Sequence, residues 1–203
     1  QESLERGIEN VKKVYRRDVE KGRLSQEKAD KILSNYSTST QLNDLSDKDM
    51  IIEAVFEELD VKKGVFSQLN DIAKEGAVLA SNTSYLDIDK IASATDRVGD
   101  VIGLHFFSPA NIMRLLEIVV PTNVKDDVVA TGFQLAKILK KVPVRAGNCD
   151  GFIGNRVLEN YAKAANYMME DGTSPYDIDK AIVEFGYPMG PFQMFDLAGG
   201  DIG

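Results

Sequence analysis

Over the first twenty positions apolar residues recur three or four apart, at Leu4, Ile8, Val11, Val14 and Val19, among charged neighbours. That spacing is one stripe of a 3.6-residue repeat and predicts an amphipathic helix lying on a larger body. Ser25 precedes QEKADKIL, a second helix with an N-cap and an acidic first turn. The polar stretch NYSTSTQLNDLSD predicts irregular chain with one short strand.

The rhythm then changes. DMIIEAVF (49–56) is a short apolar run of the kind buried on both faces of a parallel sheet, and Asp60 is placed to cap a helix that ends at Gly76. AVLASNTS (77–84) reads as a strand running into a polar turn, LDIDKIASAT as a helix and VGDVIGLHF as a strand. LLEIVVP (115–121) follows, then a helix over 124–140 with apolar Val128, Val129, Leu135, Ile138 and Leu139, and a last strand, KVPVRAG. Strands alternating with helices predict an α/β sheet with crossover connections. From Gly151 the pattern is helical only: GFIGNRVLENYAKAANYMMEDG, SPYDIDKAIVEFG and the start of a third helix in PMGPFQMFDLAGG. The predicted division is an α/β domain over 1–147 and a helical domain over 148–203.

Composition adds limits. The chain has 203 residues, 43% hydrophobic and 28% charged, and a formal net charge of −8. That charge argues against a nucleic-acid or anionic-membrane surface. No apolar run has membrane-spanning length, and no leader segment opens the chain. The single cysteine, Cys149, forms no intrachain disulfide, which points to a reducing compartment; it reads as a small buried residue. With no initiator methionine and helical patterns at both ends, the chain reads as a piece of a longer protein.

In open α/β sheets ligands bind beyond the carboxyl ends of the strands. Four polar clusters fall there: Glu57, Ser81–Ser84, His105 and Asn148. His105 is the only histidine, and Glu117 lies in the otherwise apolar LLEIVV. If the chain doubles back after Pro109, the two meet as a His–carboxylate dyad, in which the carboxylate fixes the imidazole tautomer. Otherwise they are a core histidine and a solvated strand glutamate. SNTS is either a turn or a set of polar groups that orient a substrate oxygen or a nicotinamide carboxamide. Asn155 and Arg156 are either a helix start or ligand contacts. One histidine and one cysteine supply too few ligands for a transition-metal site. No G-x-G-x-x-G phosphate loop is present.

Taken in order and spacing, IIEAVFEELDVKKGVFSQL, LASNTSYLDI, GLHFFSPANIMRLLEIV, GNCDGFIGNRV and GYPMGPFQMFDLAG resemble the L-3-hydroxyacyl-CoA dehydrogenase family over practically the whole chain. HFFSPA in place of HFFNP is most similar to the dehydrogenase part of multifunctional fatty-acid β-oxidation enzymes. The resemblance implies a Rossmann-like NAD domain, here without its first strands, followed by an all-helical domain. It implies oxidation of an L-3-hydroxyacyl-CoA to the 3-ketoacyl-CoA with NAD as hydride acceptor. It implies that His105 is the general base, Glu117 its partner, Ser84 a hydroxyl on the substrate and nicotinamide side, and Asn155 the helical-domain residue completing the site. Glu57, Lys62, Ser84 and Asn82 are implied on the cofactor side, and the first helices match a CoA-contacting segment. The glycine-rich loop would precede Gln1, so the chain alone is expected to bind NAD poorly. The implied partners are an acyl-CoA substrate and, in the parent protein, an upstream hydratase domain or a second copy. The expected compartment is cytoplasmic, with peroxisomal as the alternative. The rival reading is a non-catalytic acyl-CoA-binding or structural fragment that keeps the fold.

Overall fold

The structure is a computed structural model that describes residues 2–198. The chain divides into two compact units, one of residues 1–48 with 72–74 and one of 49–71 with 75–203.

In the first unit, helix α1 spans Glu2–Glu20 and α2 spans Gln26–Leu33, with the Ser25 side chain accepting from Lys28 N. The half-buried stripe of α1 follows Leu4, Ile8, Val11, Tyr15 and Val19, whereas Val14 is exposed. Tyr15 takes its place because it lies in the same row as Val11 and Val19, and its ring meets Tyr36 with the hydroxyls 3.2 Å apart. The short strand expected within 35–47 does not form. A 3₁₀ turn, Leu42–Leu45, stands there, and Ser39 and Asp44 side chains bond within the segment.

In the second unit a five-stranded sheet runs in the order β1 (Met50–Glu53), β2 (Val78–Ser81), β3 (Val101–Phe106), β4 (Leu115–Val120), β5 (Val142–Gly147). Helices α3 (Leu59–Ile72), α4 (Ile88–Ala92) and α5 (Asp126–Ile138) connect the strands. Asp60 lies inside the first turn of α3 rather than capping it, and α3 stops short of Gly76, whose φ of +78° turns the chain into β2. β1, β2 and β3 are parallel, but β3 and β4 are antiparallel and β5 is parallel to β4. The all-crossover expectation thus fails at one connection. Segment 107–114 is shorter than the dozen or so residues a crossover needs, so it can only return the chain as a hairpin. One cluster of the core is Val78, Ala80, Ile102, Leu104, Leu116 and Ile118 on one sheet face, covered by Val128 and Ala136 of α5.

Among the described residues only helices follow: α6 (Gly154–Glu170), α7 (Pro175–Phe185) and α8 (Pro191–Ala198). Pro175 at the first turn of α7 and Gly186 in the left-handed region just past its end are the usual start and stop. Asp179 of α7 accepts from Phe192 N and Gln193 N and so caps α8. The expected continuation of the third helix to Gly200 lies outside the described residues.

Candidate active site

The antiparallel return of the chain sets His105 on β3 directly opposite Glu117 on β4. Side chains of facing residues share one side of the sheet, and here His105 Nδ1 and Glu117 Oε2 are 2.6 Å apart. Both are buried, His105 with 3% of its surface exposed and Glu117 with none. Of the two alternatives for Glu117, the buried and paired one is what the structure shows.

Glu117 has a second task. Helix α6 has no side-chain cap of its own at Ile153. Glu117 Oε1 accepts instead from Ile153 N at 3.0 Å and Gly154 N at 2.8 Å, satisfying orphan donors at the helix start. Burial pushes the Glu117 carboxyl up. Hydrogen bonds from His105, Gly154 and Ile153 outweigh burial and hold it below its ordinary value. An ionised carboxylate only accepts, so Nδ1 carries the proton between the pair, and in the neutral ring the lone pair falls on Nε2.

The loop after β2 is stitched down on three sides. Asn82 Oδ1 accepts from Phe106 N at the end of β3, 2.9 Å away. Glu57 Oε1 accepts from the Thr83 hydroxyl, Ser84 N and Tyr85 N. Burial raises the Glu57 carboxyl, but these three donors and nearby Lys62 leave it below the usual carboxylate range. Asn155 Nδ2, in the first turn of α6, donates to Ser84 O at 3.4 Å. The first turn of α6 therefore touches both Glu117 and the Ser84 loop.

Lys62 is wholly buried and its Nζ faces three acceptors: Glu53 Oε1 at 2.7 Å, Val55 O at 3.3 Å and Glu57 Oε2 at 3.4 Å. Glu53 in turn accepts from Val55 N at 2.6 Å and Ser81 Oγ at 2.7 Å. The sequence-predicted residues fall into two groups. Glu57 and Lys62 are engaged within the protein. His105 Nε2, Ser84 Oγ, Asn82 Nδ2 and Asn155 Oδ1 have no hydrogen-bond partner among the described residues.

Two expectations need correcting. Asn148 does not share the strand-end edge with the others, because β5 runs opposite to β1–β3. Its side chain bonds Ile88 N, Asp87 and Asp89, latching the start of α4. Cys149 is exposed rather than buried, since it lies in the irregular link between β5 and α6, with Arg156 Nη1 3.6 Å from its sulfur. Arg156 makes no contact with the His105–Glu117 pair. Among the described residues no helix is long and apolar enough to cross a membrane, and no three His, Cys, Asp or Glu side chains gather as metal ligands.

Sequence reasoning missed Glu53, Phe107, Phe152 and Gly154. Glu53 carried the same signal as Glu117, a carboxylate inside an apolar run.

The family model for the NAD-binding domain of 3-hydroxyacyl-CoA dehydrogenase matches residues 1–149, and that for the C-terminal domain of the same enzymes matches 151–203. The chain is 43% identical over 200 residues to the peroxisomal bifunctional enzyme of Danio rerio, covering 98% of this chain and 27% of that protein. It spans about a quarter of the length of the curated relatives it matches. The crystal structure of M. tuberculosis FadB2 superposes with a TM-score of 0.95 at 36% identity, over 98% of this chain and 71% of that one. The 3-hydroxybutyryl-CoA dehydrogenase of Escherichia coli K12 does so with a TM-score of 0.92 at 35% identity, over all of this chain and 43% of that one.

Proposed function

The chain belongs to the 3-hydroxyacyl-CoA dehydrogenase family, and from that premise we propose that it carries the site at which an L-3-hydroxyacyl-CoA is oxidised to the 3-ketoacyl-CoA. The observation that carries the reading is the buried His105–Glu117 pair, whose only unengaged ring nitrogen is Nε2. When the 3-hydroxyl is converted to a carbonyl, its proton must leave as the C3 hydride departs. His105 Nε2 takes that proton, and Glu117, held ionised, stabilises the imidazolium that forms. Base catalysis of this type supplies about 10²–10⁴-fold in rate. NAD+ supplies the hydride acceptor.

The fit of the nucleotide rests on polar atoms the protein leaves open. Ser84 Oγ and Asn82 Nδ2 stand on the loop beyond the carboxyl end of β2, where an α/β sheet offers its ligand site. They would orient the nicotinamide and the substrate oxygen, while Asn155 Oδ1 approaches from α6. Glu57 and Lys62 serve by holding the loop and β1 in place. In this reading the loops of β1–β4 form the cofactor side and α6 begins the helical side of the site.

Relatives named as bifunctional support a further activity in the whole protein, and a hydratase would hand this site its 3-hydroxy thioester. Their peroxisomal names favour that compartment over the cytoplasmic expectation. The test is NADH formation by the full-length protein from an L-3-hydroxyacyl-CoA. Turnover that falls by at least about 10²-fold in His105→Gln supports the assignment. An intact protein that binds the thioester but never forms NADH favours the non-catalytic alternative.

A further inference from the structure

The His105 ring is held by more than Glu117. Its centroid lies 4.5 Å from that of Phe107, with the planes at 48°, and 5.6 Å from that of Phe152, at 57°. Two features of the backbone are arranged around these rings. Gly154 has no side chain where one would collide: a Cβ there would come within 2.6 Å of Phe107 Cζ and 2.9 Å of Cε1. Phe152 has a φ of +46°, in the left-handed region that a bulky residue adopts only when its surroundings impose it. Phe152 is nonetheless almost wholly buried. Chain geometry that is unfavourable for phenylalanine is therefore kept in the one place that brings its ring to the imidazole.

We propose that Phe107 and Phe152 clamp the His105 imidazole as positioning residues, and that the bare Cα of Gly154 makes room for the clamp. This rests on His105 being the base. A histidine χ2 torsion is broad and roughly two-fold, so one hydrogen bond through Nδ1 leaves the ring free to rock about that contact. Two rings packed against the imidazole remove that freedom and exclude water from the dyad. The lone pair of Nε2 is then aimed in one direction before substrate arrives, and such preorganisation acts on turnover rather than on binding. Phe107 follows His105 by two residues on the chain and Phe152 precedes α6, so the clamp also joins β3 to the helix that Glu117 caps.

The experiment uses the full-length protein in two readouts. Histidine-selective ¹⁵N labelling reports this ring, the single histidine of this chain, among the histidine cross-peaks of the full-length protein. Assigned by their loss in His105→Gln, its peaks should show one tautomer, protonated on Nδ1, and ring protons shifted upfield by the phenyl rings. Phe107→Leu should lose the upfield shift and lower kcat by roughly 10- to 10²-fold, with the KM for the thioester changed by less than about threefold. Phe107→Tyr, which keeps the ring, should recover kcat to within about threefold. Gly154→Ala should mimic Phe107→Leu, and adding Phe107→Leu to it should cost little more, because the two act on one contact. Phe152→Gly accepts the same φ without a ring and gives a second route should Phe107→Leu fail to fold. The clamp is overturned if folded Phe107→Leu and Phe152→Gly both keep the upfield shift or the parent kcat while His105→Gln is inactive. If His105→Gln is itself active, the base assignment fails, and the NMR signature then shows separately whether the rings hold the imidazole.

Discussion

Replacing Lys62 by methionine removes a cation with no exposed surface while keeping most of the apolar stem. Its Nζ contacts Glu53 Oε1 at 2.7 Å and lies within 3.4 Å of Glu57 Oε2. Glu53 would stay behind as a buried carboxylate, 4% exposed, with only Val55 N and Ser81 Oγ to donate to it. Breaking a buried pair from one side costs about 3–5 kcal/mol. The two surviving donors put Lys62→Met at the low end, about 3 kcal/mol. For a chain of this size that lowers the unfolding midpoint by roughly 6–12 °C. Adding Glu53→Gln removes the stranded charge and still accepts from Val55 N and Ser81 Oγ, so the double variant should recover about half of the loss. Thermal unfolding followed by far-ultraviolet circular dichroism reads all three proteins. The reasoning is refuted if Lys62→Met unfolds within a degree or two of the parent and instead raises the KM for NAD+, since Lys62 would then be a ligand contact. It is also refuted if the double variant is less stable than Lys62→Met.

Further outcomes follow from the same contacts. The native Glu117 carboxyl is held below its unfolded value, so its stabilisation is complete above that unfolded value, near 4.5, and is lost as pH falls through the lower native one; Glu117→Gln should flatten this acid limb in pH-dependent melts. Asn82→Ala leaves Phe106 N without its acceptor and should cost about 1–2 kcal/mol in urea unfolding, with kcat reduced because β3 ends next to His105. Tyr15 is pushed up to about 12, chiefly by its hydrogen bond to the Tyr36 hydroxyl and then by partial burial; Tyr36→Phe should bring its phenolate absorbance back toward an ordinary tyrosine near 10.

The elements with strong periodicity were legible in the sequence. The helical span of α1, the Ser25 cap of α2 and the bounds of α7 are set by contacts within a few residues of chain, whereas the stripe of α1 passes through Tyr15, which meets Tyr36, and not through Val14. His105 was readable as a residue near a strand's end, and a return of the chain after Pro109 as one of two alternatives. What pattern alone could not supply was direction. Whether LLEIVV pairs parallel or antiparallel with VIGLHF depends on a connection too short for a helix, and only the antiparallel choice sets Glu117 opposite His105. The same reversal took Asn148 away from the site. Buried polar partners were harder still. The resemblance puts Lys62 on the cofactor side, and nothing in the local pattern pairs it with Glu53, nine residues earlier on a neighbouring strand and 2.7 Å from it. The left-handed Phe152 has no local signal, because glycine is the residue that usually marks such backbone. These are contacts between distant segments, and neither helical nor strand periodicity encodes them.

The central claim is that His105 and Glu117 work as one proton-accepting unit. The measurement that tests it most directly is steady-state NADH formation from an L-3-hydroxyacyl-CoA by the full-length protein as His105→Gln, Glu117→Gln and the double variant. Groups acting as a unit lose activity once, so the double variant should be no slower than His105→Gln alone, with Glu117→Gln between it and the parent. Losses that multiply in the double variant, or a Glu117→Gln protein with parental kcat, would contradict the account.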